Sequence, residues 1–330
     1  ALHLPPASAD DNLQTRSLAE LTRALHNESG WIKVHAAEAL LELGYRDRVV
    51  DVFLDEQQSF GDQREYRIGI WRVLARAADN AKDRAAWARK IAAAFSAADG
   101  PDRIHAAESL AKLGGTNDGA LRSGLAAAAE SEDAALALFA HWALIASGDR
   151  QRLEAVTAAL DYPASVTRLR AAVILADTER LTSQVQASLH EAARREAADS
   201  RAFGALVGAS FIHAASADDQ QQLAWCRTTL ASLLEDGDAT ARRLALSALA
   251  ERGSASDLST VASLLTDADP DVRVSAARAA LRLERRSGRR LAIADWIVIV
   301  AYAAGMIAIG WYCSRRAATT EDYLLGGRTM

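Results

Sequence analysis

Apolar and polar positions follow two different rules along this chain, and the change occurs near residue 295. Up to about residue 284, apolar residues recur at i, i+3, i+4 and i+7. This is the spacing that places them on one face of an α-helix. Stretches such as LAELTRALH, WARKIAAAF and LSTVASLLT are of this kind. Between them a second phrase returns with variation: a polar or Gly-containing turn, then a helix with small residues on one face. It starts at Ser29, Asp99, Ser131, Ser165, Asp236 and Asp267, with weaker copies near Gly61 and Asp199. Starts roughly 31–38 residues apart suit one pair of short helices per unit. About eight units fit before residue 285. From 296 to 313 the rule changes, because every residue is apolar, aromatic or Gly. At about 1.5 Å per residue this run reaches about 27 Å, close to the hydrocarbon thickness of a bilayer.

The expected fold is therefore all-α: a solenoid of stacked helix pairs, followed by one transmembrane helix. Residues 1–9 are set apart as a start segment, 10–284 form the solenoid and 285–294 a basic linker. The span covers 295–313, and 314–330 is a polar loop leading to a further helix. A unit of this size cannot bury its apolar face alone, so several must stack. In the span, Asp295 sits where an N-cap belongs. Trp296 at the entry, and Trp311 with Tyr312 at the exit, lie at interface depth, where amphipathic rings are stable. Arg315 and Arg316 then stop it.

Composition changes this picture little. The chain is half apolar with few aromatics, which suits a folded helical protein and excludes a disordered one. Charge is divided unevenly. Residues 285–330 hold seven Arg and three acids, a net of +4, so the total of −5 leaves −9 on residues 1–284. An acidic body argues against nucleic acid as a partner. A basic end fits a segment beside lipid headgroups. Ala7-Ser8-Ala9 before Asp10 has the small-x-small form of a signal-peptidase site, and it also reads as ordinary Ala-rich sequence. With no initiator Met and an apolar segment near Met330, a piece of a longer protein is expected.

Two resemblances refine the reading. The repeated units resemble HEAT repeats of the short bacterial kind, most clearly in DPDVRVSAARAALRL. There Pro270 starts a helix, Asp271 and Arg273 supply a polar ladder, and Ala276, Ala277 and Ala280 allow close helix approach beside Leu281 and Leu283. Residues 295–330 resemble the first helix and loop of the sodium/solute symporter family. The resemblance is carried by Asp295-Trp296, Ala308-Ile309-Gly310 before Trp311, Ser314-Arg315-Arg316, and Thr320-Glu321-Asp322-Tyr323 leading to Gly326-Gly327-Arg328. It covers roughly a tenth of the chain. It implies secondary active transport by alternating access, with sodium and a small-molecule solute bound at broken helices downstream of this segment. It also implies a cell-membrane location with the lipid bilayer as partner. The family places the first loop in the cytoplasm and so the solenoid outside. The four Arg before the span against three after it lean the other way under the positive-inside rule. The solenoid's concave face would bind a protein or ligand. A membrane-anchored HEAT scaffold for protein–protein interaction is the alternative.

Candidate chemistry is sparse, and an enzyme is not expected. His35 and His105 recur in a His-Ala-Ala-Glu phrase with Glu38 and Glu108, an i, i+3 pairing that can place a nitrogen and a carboxylate on one metal. Each more simply fills a repeated solenoid position usually held by Arg. His3, His26, His141, His190 and His213 lack metal-ligand spacing. Cys226 reads as a buried thiol and Cys313 lies at the membrane edge. Gly326-Gly327-Arg328 lacks the Lys-Ser/Thr of a phosphate loop. Trp31, Trp71, Trp87, Trp142 and Trp225 are spread over different units. No catalytic, cofactor or metal residue is assigned within this chain.

Overall fold

A computed structural model describes residues 9–97, 100–214, 220–288 and 301–311. Every regular element among them is helical. The chain divides into two units, Ala1–Glu284 and Arg285–Met330. Among the described residues the first contains eight helix pairs. They are α1 (Ala9–Asn27) with α2 (Gly30–Glu42), α3 (Val50–Phe60) with α4 (Tyr66–Ala77), and α5 (Ala81–Ser96) with α6 (Arg103–Lys112). Next come α7 (Gly119–Ala128) with α8 (Ala134–Ala146), α9 (Leu153–Ala158) with α10 (Ser165–Asp177), and α11 (Ser183–Arg195) with α12 (Phe203–His213). The last are α13 (Gln220–Leu234) with α14 (Ala239–Arg252) and α15 (Leu258–Ser263) with α16 (Pro270–Gly288). The even-numbered helices α2 to α14 pack successively on one another as an inner layer, and the odd-numbered α1 to α13 each pack on their partner; Arg278 and Arg282 of α16 bond Glu251 of α14.

The turns explain where the helices start and stop. Asp118, Asp133, Thr182 and Asp238 accept hydrogen bonds from backbone amides of the first turn of α7, α8, α11 and α14. Amides without a helical partner are satisfied in this way. The inner helices α2, α6 and α8 end on Gly44, Gly114 and Gly148, with φ of 85°, 92° and 95°. At each, the following amide reaches back five residues: Tyr45 to Leu40, Gly115 to Leu110, and Asp149 to Leu144. This is a Schellman motif, which needs a left-handed residue that glycine adopts without strain. α9 and α15 are short, and both run into 3-10 turns, at Ala159–Asp161 and Leu264–Thr266.

Small residues set the spacing between neighbouring inner helices. A Cβ on Gly69 of α4 would lie 3.0 Å from both Trp31 and Val34 of α2. One on Gly208 of α12 would lie 3.2 Å from Ala248 of α14. Ala36, Ala37, Ala106, Ala107, Ala171, Ala172, Ala276 and Ala277, at matching positions of four inner helices, are all completely buried.

The stack closes on itself. His35 Nδ1 of α2 lies 2.8 Å from Asp271 Oδ1 of α16. Glu42 of α2 bonds Arg278, at 2.7 Å, and Arg282. Glu20 of α1 accepts from Arg273 at 2.8 Å. His35 with Asp271 and Glu42 with Arg278 are both separated by 236 residues, so α2 lies along α16 in constant register. Buried residues on α16 include Val272, Val274, Ala276, Ala277, Ala279, Ala280, Leu281 and Leu283. At ~100° per residue these span roughly 220° of the helix circumference, more than half of it. A solvent-facing end repeat keeps a polar outer flank.

In the second unit, residues 301–311 are helical. Among the described residues no helix is long and apolar enough to cross a membrane. The expected span 295–313 lies partly outside the described residues, and the loop 314–330 lies wholly outside them.

Candidate functional site

The chemistry-bearing side chains gather on the inner helices. The repeated phrase puts a basic residue three positions before the first of two adjacent buried residues, at Lys33, Arg67, Arg168, Arg242 and Arg273. Four of these reach an acid in or after the outer helix of the next pair. Lys33 bonds Glu56 at 2.5 Å, Arg67 bonds Asp102 at 2.7 Å, Arg168 bonds Glu196 at 2.6 Å and Arg242 bonds Asp267 at 3.0 Å. Arg273, in the last pair, makes the same kind of bond to Glu20 in the first. Arg273 belongs to the expected polar ladder; the other members were not singled out by sequence, although the repeat alignment carries them.

Deeper along the inner face, Arg72 is the largest fully buried side chain. It donates to Glu38 at 2.7 Å and to Ser109 at 2.9 Å. Arg76 also donates to Glu38, at 3.2 Å. Burial pushes the Glu38 carboxyl up, but Arg72, Arg76 and Lys112 outweigh it and hold the group down at about 2. Glu108 behaves alike: burial raises it, while Lys112, His105 and Arg72 bring it below the ordinary range. Asp177, at the end of α10, has the opposite fate. The surrounding protein lifts its carboxyl above the usual range, against the partial opposition of Lys112 and Arg76. Glu251 raises it slightly further and Arg278 opposes.

The two His-Ala-Ala-Glu phrases are arranged differently: His105 Nδ1 lies 3.7 Å from its own Glu108, whereas His35 and Glu38 have separate partners. His35 is turned to Asp271 while Glu38 is held by arginines. The His105 ring lies 5.1 Å from the Trp31 ring, and Glu108 is bonded to Lys112 at 2.7 Å. Among the described residues, no group of three or more His, Cys, Asp or Glu is placed to hold a metal ion. Cys226 is buried, with its Sγ 3.8 Å from Ser210 Oγ. Trp71 and Trp142 are buried, while Trp31, Trp87 and Trp225 are half-buried. Lys90 lies over Trp87 and Arg194 over Trp225, each 4.5 Å from a ring centroid.

Of the residues that sequence assigns to the span, Trp311 is described, and it is 59% exposed at the end of the apolar helix 301–311. Asp295, Trp296, Tyr312, Arg315 and Arg316 lie outside the described residues, as do Glu321, Asp322, Tyr323, Gly326, Gly327 and Arg328 of the loop.

No family model and no curated protein matches the chain. The crystal structure of an engineered protein aligns with 81% of this chain and 96% of its own at 19% identity, with a TM-score of 0.25. A likeness at that level carries no argument about fold or function.

Proposed function

We propose that this chain is the N-terminal part of a sodium-coupled solute symporter. A HEAT-type solenoid precedes the first membrane helix. The observation that carries this reading is the helix 301–311, which is apolar yet uncovered. Tyr302 is 72% exposed, Ile307 73% and Ile309 62%. Apolar surface in water costs about 25 cal/mol per Å², and a bilayer removes that cost. The loop motif around Glu321, Asp322, Tyr323 and Gly326-Gly327-Arg328 supports the symporter family specifically. Sodium and solute would bind at residues beyond this chain, and the solenoid would serve as a binding or regulatory domain outside the cytoplasmic membrane. The eight two-helix pairs and the recurring basic ladder support the HEAT resemblance.

A membrane-anchored scaffold is the second reading. It is favoured by how self-contained the solenoid is, its first and last pairs being bonded to each other. The coding sequence past Met330 separates the two: ten or more further hydrophobic spans mark the symporter, and their absence marks the scaffold. Insertion and orientation are tested in intact cells with Cys313→Ser. A Cys replacing exposed Ala255 is expected to react with an impermeant maleimide, and one at Thr319 is not. The reverse pattern places the solenoid in the cytoplasm. Release of the protein by alkaline carbonate overturns both readings.

A further inference from the structure

We propose that the seam between α16 and the α1–α2 pair is an electrostatic latch. It is the one junction at which the ring of helix pairs opens, and its opening is driven by competition for its ion pairs. Three observations carry this. First, the seam reproduces a repeat-to-repeat junction. Arg273 bonds Glu20 in the first outer helix, much as Arg168 bonds Glu196 and Arg242 bonds Asp267, the residues that directly follow the next pair's outer segment. The constant separation of 236 residues puts α2 where the inner helix of a ninth pair would stand.

Second, the seam is the junction that no linker crosses. Consecutive pairs are tied by short loops, so an interface that opens between them closes again at high effective concentration. α1–α2 and α16 are joined only through the whole intervening chain, and their separation is opposed by the seam's own bonds and packing alone.

Third, the seam is rich in partly exposed charge. Glu42, 36% exposed, meets Arg278 and Arg282. Glu20 and Glu28 both meet Arg273, at 2.8 and 3.6 Å. His35 meets Asp271, which Arg243 also holds at 3.0 Å. The Glu42 pairs are the most exposed of these, and exposed ion pairs are individually weak and salt-sensitive. Arg278 and Arg282 each keep a second carboxylate, Glu251 of α14. Releasing Glu42 therefore leaves neither arginine without a partner, which lowers the cost of opening.

The test uses the full chain in detergent micelles with Cys313→Ser. Spin labels go at exposed Asn27 and Ala268, which flank Glu28 and the Arg273 bond to the Ala268 carbonyl. In dilute salt a single short distance is expected. Raising sodium chloride to about 1 M shrinks the screening length from about 10 Å to about 3 Å, and a long-distance population should grow severalfold. Glu42→Lys and Glu20→Lys should produce that population in dilute salt with the helical circular dichroism retained. Should a variant lose its helicity, the salt titration of the unsubstituted seam decides alone. A short distance unchanged by salt overturns the latch, because packing then holds the seam. Absence of the short distance in dilute salt, or its dependence on protein concentration, overturns it as well, the latter by showing that the seam joins two copies.

Discussion

At the residue scale, Arg72 shows what a buried charge requires. Its guanidinium is 1% exposed and survives inside the solenoid because Glu38 and Ser109 satisfy it. Removing one partner of such a pair costs more than the pair itself contributes, because the remaining charge is left uncompensated. Arg72→Met is therefore expected to lower stability by about 3–5 kcal/mol, measured by urea denaturation. Adding Glu38→Gln should restore part of the loss, and failure to do so would show that Arg72 acts by packing alone. The same network fixes an acid dependence. Glu38 is depressed from 4.5 to about 2. Its stabilisation is present above pH 4.5 and is lost as pH falls from there toward 2, on the order of 3 kcal/mol in all. Glu108 acts in the same direction. Asp177, whose carboxyl is raised, stabilises when protonated and loses that contribution as pH rises through its folded value. Melting followed from about pH 6 to about pH 2 should show a steep decline below about 4.5 that is shallower in Glu38→Gln.

At the element scale, small residues decide how near two helices come. Ala107 of α6 and Ala276 of α16 are completely buried, at neighbouring positions of the repeated phrase. Ala107→Asp and Ala276→Asp each force a carboxylate into a helix contact, at an expected cost of about 3 kcal/mol or more. Thermal circular dichroism measures this, and near-neutral melting of both would remove these alanines from the seams. Elements were the most readable level of the sequence. The turn-plus-small-residue phrase falls on all eight inner helices, and the LELG, AKLG and IASG endings fall on the glycines that close α2, α6 and α8. The outer helices were harder to read. LSTVASLLT has continuous helical periodicity, but the structure divides it into a short α-helix and a 3-10 turn. Periodicity records which side is apolar and carries little information on length.

At the scale of the whole molecule, closure is the property with consequences. An open solenoid offers a concave groove, the surface first expected to take a partner. Here the first and last pairs are joined, Arg278 of α16 bonding Glu42 of α2.

The sequence by itself determined the helical class, the repeat spacing, the inner-helix positions and the change of pattern near residue 295. Each follows from local periodicity or from a residue's own backbone preference. His35, Glu38, His105 and Glu108 were visible as a repeated phrase, but not their partners. Whether His35 meets a metal, a solvent molecule or Asp271 depends on curvature summed over seven junctions. Small rotations at each junction decide whether residue 35 and residue 271 come together or end far apart. That sum is absent from any one repeat, and only the tertiary structure decided it.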